Sequence, residues 1–155
     1  MTAPCPTRID PAHLPSIAAL EQLCFAEPWS ESSLAMLCRE GGTGVVIPAA
    51  AGQATALAYG GMTYVIGVEG SITNVATHPN ARRKGLGRAI VAALIEQGRI
   101  LGLVDIYLEV RISNQAAIAL YRSFGFQTVG TRKGFYRLPT EDALLMRLTL
   151  DQSKR

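Results

Sequence analysis

One stretch near the middle of the chain limits its fold more than any other. Ser71-Ile72-Thr73-Asn74-Val75-Ala76-Thr77 reads as a strand and is followed by Arg82-Arg83-Lys84-Gly85-Leu86-Gly87-Arg88. Beyond that, Leu86, Ile90, Leu94 and Ile95 recur on one helical face. A glycine-rich turn between strand and helix leaves main-chain N–H groups pointing outward with no side chain in the way. The helix adds its unpaired N–H groups and the positive end of its dipole. Such a junction is a receptacle for phosphate. Arg82, Arg83, Lys84 and Arg88, four of the fifteen Lys and Arg residues, set cationic charge beside it.

Two familiar phosphate loops do not fit. The P-loop needs Gly-x4-Gly-Lys-Ser/Thr, and no such string occurs. The dinucleotide fingerprint needs Gly-x-Gly-x-x-Gly/Ala; Gly85 and Gly87 supply two positions, but Ile90 stands at the third. That fingerprint also opens a doubly wound domain, whereas this loop lies at mid-chain. The pattern left is Arg/Gln-x-x-Gly-x-Gly/Ala between a strand and a helix. Its plainer reading is a surface turn with a solvated charge run.

The 155 residues predict a single domain over 1–155, with a core over 8–148 and a tail over 149–155. With 48% hydrophobic and 17% charged residues, disorder is excluded. No apolar run reaches the ~18 residues of a membrane span. The N-terminus lacks an apolar signal core, so a cytoplasmic location is expected. Cys5, Cys24 and Cys38 form no Cys-x-x-Cys pair, and only His13 and His78 could join them, so no metal site is expected. Cys24 and Cys38 lie on apolar helix faces and read as buried thiols. His13 reads as a surface helix residue and His78 as structural. The formal charge is +3, and the clustering of four cations between 82 and 88 suits a ligand carrying several phosphates. No nucleic-acid motif is present and aromatics are 6%, so direct nucleic-acid binding is not expected.

Asp10-Pro11 starts a first helix bearing Ile17, Leu20 and Cys24. Ser30 caps a second, short one that stops at Gly41-Gly42. Strands follow over Thr43 to Ala49 and Thr55 to Val65, ahead of the strand that feeds the phosphate loop. Val104 to Val110 alternates cleanly, with Glu109 and Arg111 on the polar side. Ser113 caps a helix over Asn114 to Phe124, which Gly125 stops. Thr128 to Arg137 and Ala143 to Leu148 close the order as a strand pair, and Thr7 to Ile9 can supply one more strand. The fold class is α+β, with a mixed, mainly antiparallel sheet flanked by helices.

Leu108-Glu109-Val110-Arg111-x-Ser113-Asn114-x-x-Ala117-Ile118-x-Leu120-Tyr121 is the second dense signal. Asn114 and Tyr121 are two helical turns apart and share a face, and Glu109 leaves the adjoining strand on its polar side. A carboxylate, an amide and a phenol can therefore converge. Acyl transfer from a thioester to an amine needs such parts: a base for the ammonium proton and a donor for the departing thiolate. It also needs an oxyanion donor, which the N–H of Val75 or Ala76 can be. The plainer readings are a Glu109 paired with Arg111 or Lys133, a Tyr121 in the core and an Asn114 that starts a helix.

Taken together these blocks resemble the GNAT superfamily of acetyltransferases, in its ribosomal-protein alanine N-acetyltransferase (RimI-like) branch. Cys24-Phe25-x-x-Pro28-Trp29-Ser30-Glu31, Asn74 to Pro79 with Arg82 to Arg88, the Leu108 to Tyr121 block and Glu141-Asp142-Ala143-Leu144-Leu145-Met146 carry the likeness, from about residue 8 to 148. The resemblance implies the acyl-CoA N-acyltransferase (GNAT) fold and acetyl-CoA as co-substrate. It implies that Val75, Ala76 and Thr77 line the pantetheine arm and that Arg83, Lys84, Gly85, Leu86, Gly87 and Arg88 cradle the pyrophosphate. Asn114 would contact the cofactor, Glu109 would be the general base and Tyr121 the general acid, in direct transfer within a ternary complex. The implied acceptor is a protein N-terminus, in that branch the alanine end of a small-subunit ribosomal protein. A lysine side chain or a small-molecule amine is the alternative acceptor, and a non-catalytic acyl-CoA-binding module the non-enzymatic alternative. Lys133-Gly134-Phe135-Tyr136 departs from the usual Arg-Asn-Tyr-Tyr, on the side where a peptide would enter.

Overall fold

Alternation builds the centre of the sheet: Ile106, Leu108 and Val110 are buried, and each of their neighbours from Asp105 to Arg111 is half-exposed. In the computed structural model, which describes residues 5–150, this strand is β5 (Asp105–Arg111). The other strands are β1 (Thr7–Arg8), β2 (Gly42–Pro48), β3 (Ala56–Val65), β4 (Glu69–Thr77), β6 (Gln127–Tyr136) and β7 (Glu141–Thr149). The helices are α1 (Leu14–Cys24), α2 (Glu31–Leu34), α3 (Leu86–Ile100) and α4 (Gln115–Ser123). Residues 1–4 and 151–155, including most of the expected C-terminal tail, lie outside the described residues.

The seven strands run in the order β1-β2-β3-β4-β5-β7-β6. Every pairing is antiparallel except β4 with β5, joined through α3 as a parallel crossover. Two cores form, one on each face. Ile17 and Leu20 of α1 with Leu34 and Leu37 pack on Val46 and Tyr59. On the other face Ile90 and Leu94 of α3 and Ile118 of α4 pack on Met62, Ile106 and Leu108. Ile90 and Leu94 are 0% exposed, and each such burial contributes about 1.5–3 kcal/mol.

The parallel pair is short. Glu69, Gly70 and Ser71 pair with Asp105, Ile106 and Tyr107, and beyond them both strands continue without pairing each other. The cause is in the register of β3 with β4. Gly60 opposes Val75 and Met62 opposes Ile72, so Thr73 and Asn74 together face Gly61. An extra residue bends the strand that carries it, and here it turns the second half of β4 away from β5. The sheet splits at this point.

Several local expectations change. Cys38 is exposed rather than buried, because it lies at the end of the 3-10 turn Ala35–Cys38 that follows α2. His13 is not a plain surface residue: its Nδ1 accepts from the Asp10 N–H at 3.0 Å, while Asp10 accepts from Ala12 at 2.8 Å. The cap of α4 is Asn114, whose Oδ1 accepts from the Ala117 N–H at 3.2 Å, and not Ser113.

Candidate active site

The split opens a cleft of ≈ 1240 Å³ between β4 and β5. Its β4 wall is main chain. His78 donates its N–H to the Leu57 carbonyl at 2.7 Å, which fixes the alternation along β4. Ala76 therefore bonds toward β3, while the N–H and C=O groups of Val75 and Thr77 face the split. The Thr77 carbonyl already accepts from Arg82 Nε at 3.3 Å and Cys24 Sγ at 3.4 Å. Of the two candidate oxyanion donors, this register favours Val75; the Ala76 side chain is buried in the α1 core.

The loop after β4 has the shape its sequence suggests. Arg83 at φ 64° and Gly85 at φ 77° are left-handed, which turns successive N–H groups to one side. Gly85 has no side chain to cap α3, so the first N–H groups of that helix stay open. Gly87 lines the cleft, and a Cβ placed there would meet nothing in the protein closer than Leu120 Cδ2 at 3.7 Å. Glycine disfavours a helix by about 1 kcal/mol relative to alanine, and no protein neighbour requires it here. Its bareness fits the close approach of a ligand such as a pyrophosphate.

Val75, Ala76, Thr77, Arg83, Gly87 and Asn114 all line the cleft. Leu86 puts its side chain into the core and leaves only main chain to the loop. Arg88 is held by α4, with Nη2 on Ser123 Oγ at 3.1 Å and its guanidinium 5.2 Å from the Phe124 ring. Lys84 and Gly85 are exposed on the loop itself. Asn114 spends its side-chain oxygen on the α4 cap, leaving its amide nitrogen for other contacts.

Glu109 and Tyr121 reach the cleft from opposite sides of β5. Tyr121 packs with Leu108, Val110 and Ile118, its ring 5.8 Å from Phe126 in an edge-on contact. Glu109 alternates to the other face. Because the sheet is split, both line one cleft. Burial first, and Tyr136 second, push the Tyr121 phenol up to about 12, so it is protonated at neutral pH. Glu109 is 28% exposed and pairs with Arg132 at 3.6 Å, not with Arg111 or Lys133.

Arg111 has a different task. Its Nη1 donates to the Pro139 carbonyl at 3.0 Å and to Glu141 Oε1 at 3.2 Å, and its Nη2 donates to the Arg137 carbonyl at 2.7 Å. Its guanidinium lies 4.6 Å from the Tyr136 ring. The Ser113 N–H donates to Glu141 Oε2 at 2.7 Å. Ser113 hydrogen bonds first, and Arg111 after them, hold the Glu141 carboxyl below the ordinary carboxylate range. This clasp pins the β6–β7 hairpin beside the cleft. Tyr136 joins the site as well, its phenol raised to about 12 by burial and then by Glu109.

Sequence reasoning put Tyr136 on the side where a peptide would enter but gave it no role, and it missed the Arg111–Glu141 clasp and Glu21, a fully buried carboxylate behind the cleft. Glu21 carried a usable signal: an acid placed between Ile17, Leu20 and Cys24 on an otherwise apolar helix face.

The chain and its fold have relatives among known proteins. The model of the acetyltransferase (GNAT) family matches residues 14–126. The [ribosomal protein bS18]-alanine N-acetyltransferase of Escherichia coli K12 is 36% identical over 146 residues, covering 92% of this chain and 95% of that protein. The crystal structure of the ribosomal-protein-S18-alanine N-acetyltransferase from Escherichia coli superposes with a TM-score of 0.85 at 33% identity, covering 96% of each chain. Arabidopsis thaliana NAA60 in complex with acetyl-CoA shares the fold at a TM-score of 0.81 and 15% identity, covering 94% of this chain and 98% of that one.

Proposed function

The chain belongs to the GNAT family of acetyltransferases and is an acetyl-CoA-dependent N-acetyltransferase, and on that premise we propose that its acceptor is the α-amino group of a protein N-terminus, the alanine end of ribosomal protein bS18. The observation that carries this reading is the split between β4 and β5. It brings a bare main-chain cradle, a carboxylate and a protonated phenol to one cleft open enough for a peptide end.

The proposed roles follow from what each group offers. Main-chain groups of Val75 and Thr77 hold the pantetheine arm as an added strand would be held, and the Arg83–Arg88 loop receives the pyrophosphate on its N–H groups. Acetyl-CoA supplies the activated acyl carbon. Glu109 takes the proton that the ammonium must lose before its nitrogen has a lone pair, directly or through water. The Val75 N–H faces the position where carbonyl charge develops. Tyr121 gives its proton to the thiolate as the carbon–sulfur bond breaks, so no acyl-enzyme is required. Its phenol, raised to about 12, keeps its proton and stays neutral at working pH. We place this reaction in the cytoplasm, in one domain spanning the chain.

The cleft chemistry also bears on the acceptor. A polycation would call for an acidic pocket. Here Glu141 is paired with Arg111 and Glu109 with Arg132, and Arg82, Arg83 and Arg137 line the same cleft. Phe25, Trp29, Tyr136 and Leu138 add apolar wall. That mixture suits a short extended peptide better than a polyamine. Mass spectrometry of a peptide library incubated with the protein and acetyl-CoA tests the reading. The expected product is acetyl on the α-nitrogen of alanine-initiated peptides. Acetyl on internal lysines, or on small amines alone, overturns it.

A further inference from the structure

The loop from residue 25 to 30 covers the acceptor side of the cleft with Phe25 and Trp29, yet among the described residues one buried carboxylate carries its main polar tie to β4. Glu21 of α1 is 0% exposed. Its Oε1 accepts from the Trp29 N–H at 2.8 Å and from Asn74 Nδ2 at 3.2 Å. Its Oε2 accepts from the Tyr59 hydroxyl and from Asn74 Nδ2 at 3.0 Å. The Tyr59 phenol is pushed far up, by burial first and by the Glu21 charge second. A buried carboxylate persists only when donors replace its water, and here those donors come from the loop, from β3 and from β4.

The place of those donors is informative. Asn74 belongs to the bulge that opens the sheet. The peptide between Asn74 and Val75 carries the N–H that faces the split. Trp29 lies beside it, its N–H on the same Glu21 oxygen that the Asn74 amide reaches, and both residues line the cleft. Any buried carboxylate needs donors, but this one takes them from two elements that line the cleft, the loop and β4. Glu21 fixes the distance between them.

We propose that Glu21 is a positioning residue: by bridging the Trp29 N–H to the Asn74 amide it locks the acceptor-side loop to the bulge of β4 and so sets the affinity for the acceptor amine. Glutamine at this position has the same shape but turns an N–H2 group toward donors. The loop then loses its tie, while the α3 cradle on the other side is untouched.

The experiment has a kinetic and a spectroscopic arm, each applied to Glu21→Gln, Asn74→Ala and the double variant. The kinetic arm uses an alanine-initiated peptide and rests on the acceptor reading above. Expected is a rise in acceptor KM of about tenfold, the loss of one charge-assisted hydrogen bond, with kcat and acetyl-CoA affinity within about threefold of wild type. The double variant should be no worse than the worse single variant, because both cut one bridge. The spectroscopic arm needs no acceptor. Trp29 is the only tryptophan, and its emission should move to the red and become more quenchable by acrylamide in both variants. Should wild type ignore the peptide, the acceptor reading fails and the fluorescence arm still decides this one. Should Glu21→Gln not fold, Asn74→Ala decides alone. Unchanged Trp29 emission, or loss of acetyl-CoA affinity in step with acceptor KM, overturns the proposal.

Discussion

The two walls of the cleft are made of different materials. The wall toward α3 is main chain: the open edge of β4, a left-handed turn at Arg83 and Gly85, and the uncapped start of α3. The wall toward the acceptor is a set of side-chain ties: Glu21 to Trp29 and Asn74, and Arg111 to Glu141, Pro139 and Arg137. Main-chain groups are present whatever the side chains are, so the first wall tolerates substitution wherever no side chain enters the cradle. The second wall depends on particular atoms, each of which a single substitution removes. One fold can thus keep its acyl donor while its acceptor changes.

The largest effect is expected at the seam between the walls. Glu109→Gln keeps the shape of the side chain and removes the base, and kcat should fall by about 10²–10⁴-fold. Tyr121→Phe should cost less, since water can protonate a thiolate. Both variants should bind acetyl-CoA within a factor of about two of wild type, read by calorimetry; a loss there would move these residues into the donor wall. Next comes Gly87→Leu, which adds bulk to the cradle at a position where a Cβ makes only ordinary contacts, with Leu120 Cδ2 at 3.7 Å and Thr77 Oγ1 at 4.0 Å. Acetyl-CoA affinity should fall by about tenfold or more, with Tm unchanged or higher because leucine favours the helix. Unchanged affinity would mean that the pyrophosphate does not lie against α3.

Arg111→Met tests the other wall. It keeps an unbranched apolar stem but removes the guanidinium over Tyr136, and with it three hydrogen bonds, two to carbonyls and one to a carboxylate. Acceptor KM should rise by roughly tenfold while acetyl-CoA affinity holds, since one charged hydrogen bond contributes ~1.5–3 kcal/mol. If acetyl-CoA affinity falls equally, the walls are not independent and the comparison breaks.

The same division explains what could be read in the sequence. The α3 junction was legible because glycines, a strand and an amphipathic helix are local signals, and the Val104 to Val110 alternation set β5 with its faces correctly assigned. The β6–β7 pair was legible as well. The bulge at Thr73 and Asn74 was not, because it exists only in the register against Gly61. Nor were the ties of the acceptor wall. Glu21 and Asn74 are 53 residues apart in sequence, and Arg111 reaches Glu141 across 30. No spacing rule connects such pairs. Ser113 was the expected cap of α4 because serine there is a sound local choice; it is instead committed through its N–H to Glu141, and Asn114 takes the cap. Cys38 read as buried because helical spacing was extended into a segment that is a 3-10 turn.

The smallest expected effect separates the walls by pH. The acceptor wall has a carboxyl held below its ordinary range by its partners, Glu141 through Ser113 and then Arg111. A depressed folded value means that the unfolded chain binds the proton more readily. The contribution of the clasp is therefore fully present above the ordinary glutamate value, about 4.3. It declines below that and is lost as pH falls through the lower folded value. Hydrogen exchange of the β6–β7 hairpin should consequently stay flat from pH 7 to about 5, once corrected for intrinsic rates, and rise only in more acid solution. In Glu141→Gln the hairpin should exchange faster at pH 7 and show no such acid step, since the titrating group is gone. The α3 cradle, which holds no carboxylate, should show the same protection in both proteins. An acid step that survives in Glu141→Gln would assign the titration to another carboxyl and leave the acceptor wall without its own pH signature.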